Sequence, residues 1–200
     1  MKPILTPLFI ILILVFPAPS GVLAHPHVFI EQRLKIVFDE KGMAGIHVNW
    51  RFDDMFSTMI DDDHDTDKDN RLDPAEVARI KEKAFGYIAE YNYFFTVKID
   101  GTPFPVKYVT DFSAELDNGK LVYDFFIPCH VTAIKGIKKL LIASYDPNYY
   151  SAIYFADKAP YAFVNNGGVE ANADVRIDKD TLIYFETVNP WTLFLDFRRK

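Results

Sequence analysis

Apolar and polar residues alternate from Val28 to Phe38. Val28, Ile30, Leu34, Ile36 and Phe38 fall on one side, and Glu31, Arg33 and Lys35 on the other. A period of two predicts a half-buried strand. Asp39-Glu40-Lys41-Gly42 follows as a turn, with Asp39 opening it and Gly42 where a positive φ is wanted. Ile46, Val48, Trp50 and Phe52 then resume the alternation against His47, Asn49 and Arg51, so residues 28–52 read as a long antiparallel hairpin. The period changes at Phe52. Phe52, Met55, Phe56, Met59 and Ile60 recur at helical spacing, and beyond an acidic stretch Val77, Ile80, Ala84, Ile88 and Tyr91 do the same. From Tyr93 the chain returns to short strand-like pieces, including "YFFTVKID", "KLVYDFFIPCHV", "GIKKLLIASY", "SAIYFA", "YAFV", "ADVRI" and "TLIYFETV". Asn118-Gly119 marks a tight hairpin, and Asp146-Pro147 and residues 165–168 punctuate the rest. The expected fold is mainly β: an antiparallel β-sandwich carrying a helix-loop-helix insert over residues 53–92.

Composition adds a boundary to this picture. The chain has 200 residues, half of them hydrophobic, with 18 Phe, 11 Tyr and 2 Trp, which suits one packed domain and argues against disorder. Its first residues do not fit that domain. Met1-Lys2 precedes an apolar run from Ile4 to Phe16, and "PAPSGVLA" places Val22 and Ala24 where a signal peptidase reads. The run is shorter than the ~20 residues a spanning helix needs. We expect a cleavable leader over 1–24 and a secreted domain over 25–200, the alternative being an uncleaved N-terminal anchor. After cleavage no segment could span a membrane, and Cys129, alone in an apolar setting, suits a small buried side chain better than a reactive thiol.

Charge is concentrated in one place. Residues 53–76 hold ten acids against two bases, Lys68 and Arg71, within a chain whose net charge is -6. No basic stripe is present, which excludes nucleic acid as a natural partner; cations suit such a field. Within this segment "DTDKDNRLDPAE" has a spacing with chemical meaning. A hard calcium ion takes six to eight oxygens, and a twelve-residue EF-hand loop supplies them from positions 1, 3, 5, 7, 9 and 12. Here those positions are Asp65, Asp67, Asp69, Arg71 (through its carbonyl), Asp73 and Glu76. Asp73, Pro74 and Glu76 also fit the cap, first and third positions of an exiting helix, a capping box that a merely solvated loop has no reason to contain. Asn70 stands where the pattern has glycine; asparagine tolerates a positive φ, at some cost. The stretch therefore resembles a single EF-hand loop, which implies modest affinity and a structural Ca²⁺.

A second cluster lies at the start of the secreted domain. With the cut after Ala24 the chain would begin His25-Pro26-His27, and a terminal histidine can chelate through its amine and ring. Pro26 has no amide proton, which blocks the mode that recruits deprotonated backbone nitrogens. Folding back about Gly42 lays this end beside Asp53 and Asp54, so His25, His27, Asp53 and Asp54 are candidate ligands for Zn²⁺, Ni²⁺, Co²⁺ or Cu²⁺. The bland alternative is surface histidines at a fraying terminus. His47, His64 and His130 stand singly and read as structural, and no nucleophile triad or phosphate loop is present.

Taken together, "HPHVFIE", "NWRFDDMFS", "DTDKDNRLDPAE" and "YDPNYYSAIYF" resemble a bacterial family of unknown function described as the periplasmic component of an uncharacterised ABC-type transport system. The resemblance implies a periplasmic accessory role in nickel/cobalt-type metal transport beside a membrane permease. It also implies Asp146 as a further site residue. The expected function is thus a periplasmic metal-binding accessory protein, not an enzyme, stabilised by calcium. Two alternatives stay open: a calcium-stabilised interaction module using Tyr149 and Tyr150, and a copper enzyme built on the N-terminal histidine.

Overall fold

The computed structural model describes residues 26–200, so the expected leader and His25 lie outside the described residues. The hairpin opens the fold as β1 (Val28–Phe38) and β2 (Gly42–Phe52), followed by α1 (Asp54–His64) and α2 (Pro74–Ile80). Then come β3 (Phe95–Ile99), β4 (Thr102–Phe104), β5 (Thr110–Asp117), β6 (Lys120–Thr132), β7 (Lys138–Ser144), β8 (Ser151–Phe155), β9 (Tyr161–Val164), β10 (Val169–Ile177) and β11 (Trp191–Arg199). One sheet runs β5-β6-β2-β1-β8 with β9 also on β1; the other runs β10-β11-β7-β3-β4. The two form a sandwich, with one helical segment inserted between β2 and β3.

The alternation read from β1 and β2 is what closes the core. Ile30 pairs with Phe52, Leu34 with Val48 and Ile36 with Ile46, and all six side chains are buried. Trp50 stacks parallel on Phe95 of the opposite sheet at 6.0 Å between centroids and meets Phe125 edge-on at 5.0 Å. Phe38 bridges the sheets further along by an edge contact with Phe197 at 5.4 Å. Such pairs add about 0.5–1.5 kcal/mol each beyond burial. Gln32 breaks the apolar face yet is buried, its Oε1 lying 3.5 Å from the Trp50 indole N–H. Gly42, at φ +151°, is needed for close approach as well as for the turn: a Cβ there would lie 2.2 Å from the Val131 carbonyl oxygen.

Three local readings change. The strands are antiparallel except that β8 and β9 run parallel to β1, so that sheet is mixed. The second helix is regular only to Ile80; it widens into a π turn over Lys81–Phe85 and then tightens to a 3-10 stretch from Gly86 that breaks at Tyr91, with Asn92, Tyr93 and Phe94 at positive φ. That irregularity lets Phe85 be buried on the sheet, 4.4 Å from Phe112 and 5.1 Å from Phe125, where an unbroken helix would carry Ala84 and Ile88 alone. Finally, "TLIYFETV" is a turn closed by one bridge between Ile183 and Val188, not a strand. Tyr184, Phe185 and Glu186 all have positive φ there, and Phe185 is 98 % exposed. The strand follows at β11, whose Leu193, Leu195 and Phe197 are buried. Among the described residues no helix is long and apolar enough to cross a membrane.

Candidate metal centre

The acidic loop hangs between two well-capped helices. Asp53 caps α1, its Oδ1 accepting from Phe56 N at 2.9 Å. Asp73 caps α2 through bonds from Ala75 N and Glu76 N at 2.7 and 2.8 Å, with Pro74 in the first turn. Glu76 Oε2 returns to Asp73 N at 3.0 Å and completes the capping box. Between the caps the backbone turns on carboxylates: Asp65 Oδ2 accepts from Asn70 N at 2.9 Å, Asp67 Oδ1 from Asp69 N at 3.3 Å, and Asp69 Oδ1 from Arg71 N at 2.8 Å. Asn70 takes φ +60° and Lys68 φ +57°, so asparagine fills the glycine position by adopting the left-handed conformation.

These turns draw carboxylates together. Ligand oxygens of Asp65, Asp67 and Glu76 all lie within 4.8 Å of one another, the one such group of three or more His, Cys, Asp or Glu among the described residues. Asp65 is 2 % exposed, and its Oδ1 is buried with no hydrogen-bond partner. Burial of an anionic oxygen without a donor is costly, and a cation resolves it. Glu76 is held differently: Thr66 donates to its Oε1 from both N–H and hydroxyl, at 2.6 and 2.7 Å. Those bonds, then the one from Asp73, pull its carboxyl down to about 2. Partial desolvation and then the charge of Asp69 push Asp67 up. Among the remaining loop positions Asp69 and Arg71 are exposed, and Asp73 is engaged as the cap. An all-oxygen, carboxylate-rich set fits a hard cation such as Ca²⁺.

The histidine end is built on another logic. The hairpin does return Asp53 to this end, with Asp53 N donating to Phe29 O at 3.0 Å. Asp53 Oδ2, however, accepts from Phe29 N at 2.6 Å, so both of its oxygens serve as staples between β1 and α1. Asp54 is exposed and paired with Lys120 at 2.5 Å. His27 N donates to Tyr150 O at 2.8 Å, and the two rings lie 5.1 Å apart. Asp146 is buried in the neighbouring turn, accepting from Asn148 N and from Ser151 N, each at 2.9 Å. Ser151 pairs with Val28, so the turn at Asp146 is tied to the chain segment that carries His27.

Cys129 is buried, and burial pushes its thiol up to about 12. Sequence reasoning missed two residues that fix the insert. Thr66 closes the loop onto Glu76, and Ser57, buried on α1, accepts from Leu121 N of β6 at 2.9 Å while donating to Asp53 O at 2.6 Å. Neither a lone Ser in a helix nor a Thr between two Asp carries a sequence signal for such a bond.

The family described as "Protein of unknown function (DUF1007)" matches residues 8–178. The chain belongs to that family. The chain is also similar to a Spirochaeta aurantia protein described as an uncharacterized 15.5 kDa protein in the trpE 3' region, 23 % identical over 66 % of this chain and 94 % of its own length. An uncharacterized protein of Haemophilus influenzae is 26 % identical over 72 % of this chain and 68 % of its own.

Proposed function

We propose that this family member is a secreted, periplasmic metal-binding accessory protein in which residues 65–76 form an EF-hand-like calcium site that pins the helical insert to the sandwich. The observation that carries the calcium reading is the buried, donorless Oδ1 of Asp65, a carboxylate grouped with those of Asp67 and Glu76. Asp65, Asp67, Asp69, the Arg71 carbonyl and Glu76 would hold the ion, with Asp73 acting through water. A single loop in an extracellular setting suits a dissociation constant of about 10⁻⁴–10⁻³ M. Calorimetric titration of Ca²⁺ into the full secreted chain tests this: wild type should bind one ion and Asp65→Asn none. Absence of binding by wild type at millimolar calcium would sink it.

The accessory role rests on the opposite end. His27 is tethered at Tyr150, beside the turn of Asp146, which supports a transition-metal site formed with the preceding His25. Such a site would pass Zn²⁺, Ni²⁺, Co²⁺ or Cu²⁺ to or from a membrane permease. His25→Ala with His27→Ala should remove that binding and leave calcium untouched. If transition metals do not bind the wild-type chain, the half-exposed Tyr150 favours the interaction-module reading instead.

A further inference from the structure

The four open edges of the two sheets are not alike. β4 is three residues long and contains Pro103. β5 is bulged between Thr110 and Ser113. The edge beyond β1 is made by β8 and β9 in separate runs of five and four residues. Short strands, proline and bulges are the ordinary means of keeping a sheet edge from pairing with another chain. β10 has none of them. It runs for nine residues, pairs with β11 without a register shift, and contains no proline, glycine or lysine. Beyond that ladder, the backbone of residues 170–177 receives one hydrogen bond among the described residues, from the Tyr161 hydroxyl to Ala173 O at 2.5 Å. A carbonyl has a second lone pair, so this bond does not close the edge.

We propose that β10 is the contact strand of a homodimer, pairing antiparallel with β10 of a second copy about a two-fold axis at Ala173 and joining the two five-stranded sheets edge to edge. On such an axis each residue meets the one equidistant on its far side. Glu170 of one copy then meets Arg176 of the other, Asn172 meets Asp174, Ala171 meets Val175, and Val169 meets Ile177. Every apolar residue faces an apolar one, the full charges are opposite, and an amide faces a carboxylate. The register is selective. An axis at Asn172 would set Glu170 against Asp174, and an axis at Asp174 would set the two copies of that aspartate against each other. An axis between residues would oppose exposed positions with buried ones. Glu170, Asn172, Asp174 and Arg176 are already exposed on one face. Within one chain Glu170 pairs with Arg198 at 2.6 Å and Arg176 with Asp174 at 3.1 Å. Exposed pairs of this kind contribute little, so sharing them across an interface costs little.

Sedimentation velocity of the full secreted chain over a range of concentrations tests this. Glu170→Arg and Arg176→Glu are compared singly, mixed, and combined in one chain, with thermal melts to check that each variant folds. Wild type should show a concentration-dependent equilibrium between monomer and dimer. Each single variant sets like charges opposite at both symmetric pairs and should weaken the dimer about tenfold or more. An equimolar mixture of the two singles should regain the dimer, because each supplies the sign that the other lacks. The double variant exchanges both charges and should dimerise to within about threefold of wild type. A wild type that stays monomeric at every concentration overturns the proposal. A dimer that both single variants leave unchanged also overturns it, since that dimer uses another face. A mixture and a double variant that stay monomeric overturn it as well, since the register is then wrong.

Discussion

At the acidic loop Asp65 keeps one carboxylate oxygen buried and without a donor, whereas at the histidine end Asp53 and Asp146 fill both oxygens with backbone N–H groups. The side chain is the same and its circumstances are opposite. A carboxylate that already accepts two backbone bonds is a staple, stable in its place and poorly free to coordinate. One grouped with other carboxylates and short of donors is open to a cation, which is the reading proposed for the loop. Acidic content alone therefore does not distinguish a metal centre from a set of caps; the supply of donors does.

The largest test of this contrast is at Asp146. Asp146→Ala strands two N–H groups and removes a buried charge-assisted pair of bonds, and should cost about 3 kcal/mol in urea unfolding. Unchanged stability with lost transition-metal binding would instead make Asp146 a ligand. At the loop the stabilisation should come from the ion: calcium at a hundredfold excess over its dissociation constant should add about 2.7 kcal/mol to wild type and nothing to Asp65→Asn. Acid should then dissect the calcium-free loop. Glu76 has a folded value of about 2 against an ordinary 4.5, so its contribution is present above pH 4.5 and lost as pH falls toward 2. The stability gap between wild type and Glu76→Gln, measured in chelator, should accordingly shrink over that interval. Asn70→Gly relaxes a left-handed residue and should tighten calcium binding by less than about 1 kcal/mol. Asp54→Ala, which removes only an exposed pair with Lys120, should change stability by less than about 0.5 kcal/mol.

Much of this was legible in the residues because it depends on periodicity. The hairpin of β1 and β2, the Asn118-Gly119 turn, the caps at Asp73 and the loop spacing are local, and local patterns specify them. The π turn at Phe85 was not legible, since its cause is the aromatic cluster of Phe112, Tyr123 and Phe125 contributed by β5 and β6. Nor was the exchange between "TLIYFETV" and β11. Both segments have strand-like composition, and only pairing with β7 and β10 selects Trp191–Arg199. Parallel pairing of β1 with β8 and β9 is likewise a property of the assembled sheet. At the candidate site the carboxylate spacing was readable, but the donor supply was not, because it depends on where Thr66 and Asn70 come to rest.

That parallel pairing also sets an order of events. β1 finds β2 after a short turn, but its other edge waits for Ser151–Phe155 and Tyr161–Val164, more than a hundred residues later. Contacts so distant along the chain are slow to form, because the intervening loop must close before it is rewarded. The first strand therefore spends the early part of folding with an unpaired edge. The segment bearing His27 can settle against Tyr150 only when the chain leading into β8 has reached the sheet.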